Sequence, residues 1–202
     1  MRVRAVLVDF GGVLMRTEDK GPRSRQAERL GMTSRDLEKI IFESDSSLKA
    51  STGEISEEAH WQAVAKALEV SQVEGEKIIT EFFSGDRWDI ALLDYLRSLR
   101  PERKVGLISN AWSGLRAIIT SQNFVDVFDE MIISAEVGLV KPDPRIYRLA
   151  LERLAVNPAE SVFVDDVLIN VEAAQSVGMN AIQLTQPEKT LEELKHFLKD
   201  TG

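Results

Sequence analysis

The stretch Val3-Arg4-Ala5-Val6-Leu7-Val8-Asp9-Phe10-Gly11-Gly12-Val13-Leu14 constrains this chain more than any other. An apolar, β-branched run without alternation predicts a strand buried on both faces, the habit of strands in parallel sheets. The run stops on a carboxylate, Asp9, and Gly11 and Gly12 follow closely. An aspartate at the mouth of a buried strand carries a desolvation cost unless a cation or hydrogen-bond donors meet it. Glycines let backbone N–H groups approach whatever that aspartate serves. An ordinary Asp-Gly turn would leave the same trace, so the remaining chain has to separate the two.

From about residue 16 to 88 the sequence reads as helices and connectors only. Thr33-Ser34-Arg35-Asp36 is a capping box opening a helix through Leu37, Ile40 and Ile41. Ser56 caps a helix with Trp61, Val64, Ala65 and Leu68 on one face. Ser71-Gln72-Val73-Glu74 opens another, which Ser84-Gly85-Asp86 breaks. After Trp88, strands and helices alternate. Lys104–Ser109, Met131–Ser134, Ser161–Asp166 and Ala181–Leu184 read as strands, and Thr190 as the cap of a last helix. Such alternation predicts a parallel sheet covered by helices on both faces. The expected architecture is α/β: a Rossmann-like three-layer core of residues 1–15 and 89–202, with an inserted all-helical cap at 16–88. A chain of 202 residues suits one domain with such an insert.

Composition narrows the function. A net charge of -8 argues against a nucleic-acid partner and against attraction to anionic lipid. No run of about 18 apolar residues reads as a membrane span, and Met1 leads straight into a core strand rather than a signal sequence. The chain has no cysteine, which excludes disulfides and thiolate metal sites and agrees with a cytoplasmic location. With His60 and His196 as the only histidines, both expected on helix surfaces, any metal is bound by oxygen, which points to Mg²⁺.

Three strands end in polar residues: Asp9, Ser109 with Asn110, and Asp165 with Asp166. In open α/β sheets the ligand lies beyond the carboxyl ends of the strands, so these residues are expected on one rim. Lys141, in the loop at 138–144 that feeds a proline-started helix, can reach the same rim. Crowded carboxylates repel and take up protons unless a divalent cation sits among them. Mg²⁺ accepts a few carboxylates, a carbonyl and waters, and leaves a vertex for a phosphate oxygen. Lys141, Ser109, Asn110 and the N–H groups of the loop at Gly12 are candidates for the other phosphate oxygens.

This ordered set resembles the haloacid dehalogenase superfamily, in the branch with a helical cap inserted after the first strand. The resemblance implies that Asp9 is a nucleophile that becomes an aspartyl-phosphate, that Ser109 binds phosphate and that Lys141 balances charge. It implies that Asp166 holds Mg²⁺ directly and Asp165 through water, with Asp9 and the Gly11 carbonyl completing the protein ligands. One position departs from the pattern. Phosphatases of this family usually carry a general acid two residues after the nucleophile, and here that residue is Gly11. The leading expectation is Mg²⁺-dependent hydrolysis of a small phosphorylated metabolite. A metal-independent dehalogenase and a catalytically weak member that binds a phospho-ligand or a protein are the alternatives. Asn170 either caps the helix after the acidic pair or orients Lys141 and Asp166. Trp61, Trp88 and Phe82 are expected to pack, and Trp112 to reach substrate. Arg16 and Lys20 are expected to be solvated. Sequence leaves the oligomeric state open.

Overall fold

The structure is a computed structural model that describes residues 2–200. β1 (Ala5–Val8) lies in the centre of a five-stranded sheet, flanked by β4 (Lys104–Ser109) and β6 (Ser161–Asp165), with β5 (Glu130–Ile133) and β7 (Asn180–Gln183) outside them. Every pairing in this sheet is parallel. Register places Val8 beside Leu107 of β4 and Val164 of β6, so Asp9 and Asp165 leave the sheet at one level. Successive side chains alternate between two hydrophobic clusters, as a strand's period of two requires. Val6, Val8, Val105, Leu107, Val162 and Val164 face one of them. Ala5, Leu7, Ile108 and Phe163 face the other. Both sides are covered by helices, including Ile90–Ser98 on one face and Pro144–Leu154 on the other, which gives the expected Rossmann-like α/β layering.

Between Thr17 and Asp86 the chain makes the helices Gly21–Arg29, Ser34–Glu38, Asp45–Ser51, Glu57–Ala67 and Gln72–Phe82. The caps form where hydroxyls were found in the sequence. Thr33 and Asp36 exchange both bonds of a capping box, Ser56 Oγ accepts from Ala59 N and Ser71 Oγ from Glu74 N. These helices bury their own cluster of Ala27, Leu37, Ile41, Val64, Leu68, Ile78 and Phe82.

Three expectations need correction. The stretch is not wholly helical at its ends, because β2 (Met15–Thr17) and β3 (Asp86–Trp88) pair antiparallel where the chain leaves and re-enters the core. Each strand is three residues long and rich in charge, too short for any periodicity to register. The helix opened by Thr33 changes at Lys39 into a π-helical turn, Lys39–Glu43. The last helix starts at Pro187, so Thr190 lies within it rather than at its cap.

His60 is the fourth correction, since it is fully buried. Its Nδ1 lies 2.9 Å from Ser46 Oγ, and its ring sits 4.6 Å from that of Trp61 and 4.7 Å from that of Trp112. Two indoles cover the imidazole, and burial holds its pKa below the ordinary 6.5. Trp112 follows β4, whereas Trp61 belongs to the helix Glu57–Ala67. The aromatic stack therefore joins the helical stretch to the core. Glu57 makes a second tie, accepting from the Gly114 N–H at 2.6 Å.

Candidate active site

Asp9, Asp165 and Asp166 bring one carboxylate oxygen each to within 4.8 Å of one another. The carboxyl ends of β1 and β6 place them there, and the loop before the helix Pro144–Leu154 brings Lys141 among them. Lys141 is 4% exposed; its Nζ lies 2.7 Å from Asp9 Oδ1 and 2.7 Å from Asp165 Oδ2. Asp9 and Asp165 thus share one ammonium, with the Asp166 carboxylate close beside them. Burial drives the Asp9 carboxyl up to about 6, Lys141 opposes that shift, and Asp165 adds to it. Asp166 is raised as well, through burial first and the Asp165 charge second. The imbalance of charge and the all-oxygen donor set fit a divalent cation of the Mg²⁺ type.

The two members of the acidic pair stand in different surroundings. Asp165 is fully buried: Oδ2 accepts from Lys141, Oδ1 from Val167 N at 2.8 Å, and both oxygens from Asn170 Nδ2 at 3.1 Å. Asn170 therefore orients Asp165, and not Lys141 or Asp166. Asp166 is only half-buried and lies against Gly12. Gly12 has φ +78°, and a Cβ there would lie 2.2 Å from Asp166 Oδ2. Both the turn and the close carboxylate demand glycine at that position. Gly11 is different: it is exposed, and a Cβ would meet nothing within 4 Å.

Ser109 ends β4 and is buried beside the site. The Asn110 amide clamps the Lys141 backbone, with Oδ1 accepting from Lys141 N at 2.7 Å and Nδ2 donating to Lys141 O at 2.9 Å. The amide is therefore a support for Lys141 rather than the phosphate ligand that its place after β4 suggests. Gly11, Gly12, Ser109, Asn110 and Lys141 all open onto one cleft of about 1230 Å³ between the sheet rim and the helices of residues 21–82. Arg16 lines the cleft but is paired with Asp89 at 2.7 Å. Arg23, which no sequence signal marked, lines it too and is bound to Asp86 at 3.0 Å and Glu38 at 3.3 Å. Lys20 is exposed, as expected. Trp112 reaches the cleft and stacks on Phe42 at 5.9 Å; Trp61 reaches it as well. Phe82 is buried in the helical cluster, and Trp88 packs edge-on against Phe10.

The raised carboxyl of Asp9 links this site to stability. A folded-state value of about 6 against an ordinary 3.8 means that the folded protein binds more protons between those values. Its stability then falls as pH rises through that window. Asp9→Asn without metal is expected to melt several degrees higher than the parent at pH 8, with the gap closing towards pH 4. Each kcal/mol is worth about 2–4 °C at this chain length. Melting curves across pH in EDTA check this, and a gap that is constant with pH would contradict it.

A sequence model of the haloacid dehalogenase-like hydrolases matches residues 3–178. Mouse acyl-CoA dehydrogenase family member 10 is 41% identical over 71 residues, 35% of this chain and 7% of that protein. A sesquiterpene phosphatase of Aspergillus oryzae is 42% identical over 73 residues, 36% of this chain and 37% of its own length. An (S)-2-haloacid dehalogenase of Pseudomonas is 32% identical over 78 residues, 39% of this chain and 34% of that enzyme. The chain thus spans well under two thirds of each of these relatives. Among solved structures, a HAD family enzyme of Bacteroides thetaiotaomicron in complex with magnesium and inorganic phosphate superposes with a TM-score of 0.74 at 23% identity, covering 90% of this chain and 93% of that one.

Proposed function

This chain belongs to the haloacid dehalogenase-like hydrolase family, and on that premise we propose that it is a Mg²⁺-dependent hydrolase of phosphomonoesters. One observation carries the reading: Asp9, Asp165 and Asp166 bring one oxygen each to within 4.8 Å of one another, and Lys141 pairs with the first two. Asp9 is the nucleophile. Its carboxylate attacks the phosphorus, the alkoxide departs and takes a proton, and an aspartyl-phosphate forms. Water then attacks that phosphorus and returns Asp9 to its free form. Lys141 offsets the charge of nucleophile and phosphoryl group, and Asn110 holds the lysine loop in place. Ser109 binds a phosphoryl oxygen; the Gly12 N–H, expected from sequence to do the same, already donates to the Met15 carbonyl at 2.9 Å and instead supports the turn.

Asp9, Asp166 and the Gly11 carbonyl would hold the metal directly, and Asp165, whose oxygens are already engaged, would hold it through water. Bound there, Mg²⁺ would supply charge stabilisation for the phosphoryl oxygens. We place residues 16–88 as the cap that closes over the site, excludes water and sets specificity. A cytoplasmic location is consistent with a chain free of cysteine; among the described residues no helix is long and apolar enough to cross a membrane.

The similarity to a haloacid dehalogenase belongs to a different reading, in which Asp9 attacks carbon without metal. The acidic pair beside Asp9 favours the phosphate reading, because a metal-free carboxylate nucleophile gains nothing from two more carboxylates nearby. Gly11 favours a third reading, binding of a phosphorylated ligand with slow turnover. Phosphate release from aryl phosphates separates the three. The proposal expects release that requires Mg²⁺ and disappears in Asp9→Asn. Halide release from 2-haloacids in EDTA would replace it with the second reading, and phosphate binding without release with the third.

A further inference from the structure

We infer that the leaving group of the substrate is a large apolar alcohol and that the substrate carries no second anionic group. The inference rests on the reading of the site as a phosphomonoester hydrolase and specifies what that ester contains. The cleft beside Asp9 is about 1230 Å³, larger than the usual range of about 300–1,000 Å³ for small-molecule sites. Its walls are built from apolar side chains, chiefly Phe42, Leu48, Trp61, Phe83, Trp112 and Ile118. Phe42 is 39%, Ile118 44% and Leu48 61% exposed. Large hydrophobic side chains left in water on the wall of one cleft mark a surface that a ligand covers.

The charges of the cleft point the same way. Arg16 is held by Asp89, and Arg23 by Asp86 and Glu38 while its guanidinium lies 4.4 Å from the Phe82 ring. Lys141 is committed to Asp9 and Asp165. Each cation lining the cleft among the described residues therefore already has its carboxylate, and a second phosphate or carboxylate on the substrate would have to break such a pair. Two hydroxyl groups beside Phe42 and Leu48 are committed as well. Ser47 donates to the Phe42 carbonyl at 2.9 Å and Thr52 to the Lys49 carbonyl at 3.0 Å.

The test uses para-alkylphenyl phosphates, from methyl to octyl, with the full-length protein and Mg²⁺. Leaving-group acidity is nearly constant along this series, so only apolar contact varies. Each methylene buried is expected to raise kcat/KM about fourfold until the chain fills the cleft. A carboxylate or second phosphate at the chain end should reverse the gain. Leu48→Asp and Ile118→Asp, both on the exposed wall, should flatten the slope. A flat series, or preference for the doubly anionic esters, overturns the inference while Mg²⁺-dependent release from phenyl phosphate leaves the hydrolase reading standing. Absence of phosphate release from every member overturns that reading and the inference with it.

Discussion

Gly11→Asp is expected to accelerate hydrolysis of simple alkyl phosphates by up to about 10²–10⁴-fold, the usual contribution of a positioned general acid. Aryl phosphates should gain far less, because a phenolate leaves without needing a proton in the transition state. The backbone permits the change. Gly11 is exposed, its Cβ would meet nothing within 4 Å, and its φ is not among the positive values that Gly12, Gly31, Gly53, Gly138 and Gly178 adopt. Nothing in the fold therefore requires glycine there, in contrast to Gly12 at the next position. The parent consequently depends on the leaving group's own acidity, and its rate should fall steeply as leaving-group pKa rises. Leaving-group plots for both proteins at saturating Mg²⁺ check this. A flat plot for the parent, with chemistry rate-limiting, would mean that another group delivers the proton.

Asp166→Ala is expected to remove at least about 10²–10³-fold of the phosphatase rate, the worth of several kcal/mol of charge stabilisation. The parent is expected to melt higher with Mg²⁺, and the variant should lose that shift, since an ion that no longer binds the folded state cannot stabilise it. The metal-free variant should be as stable as the parent or more so. Asp166 is half-buried, lies beside Asp165, and carries a carboxyl raised by both, so its removal relieves repulsion rather than breaking a bond. Calorimetry with and without Mg²⁺ separates metal loss from misfolding. A variant that retains the Mg²⁺-induced shift would remove Asp166 from the metal site.

The parts of this account that sequence carried are those with a strong local signature. Lys104–Ser109 forms β4 at the expected residues, because a continuous buried run bounded by a charged residue and a polar end has one interpretation in an alternating α/β chain. The capping hydroxyls Thr33, Ser56 and Ser71 were legible for the same reason: each satisfies N–H groups within three residues of itself. What remained hidden depended on partners distant in sequence. Asn110 looks like a phosphate ligand until Lys141, 31 residues on, takes both ends of its amide. Asn170 looks like a helix cap until its contact with Asp165 is known. His60, a polar residue within a helix, reads as surface, and only the meeting of Trp61, Trp112 and Ser46 makes its place an interior one. Arg23 carries no motif, yet folding sets it in the cleft between Asp86 and Glu38.

Asp9 is expected to carry the phosphoryl group during turnover. Acid quench of the parent during turnover of an aryl phosphate in Mg²⁺, followed by mass spectrometry of its peptides, tests it most directly. The peptide containing Asp9 is expected to gain the mass of one phosphoryl group, hydroxylamine to remove it, and neither Asp9→Asn nor the parent in EDTA to form it. Phosphate release in a single turnover with Asp9 never modified, or an adduct on a different residue, would contradict it.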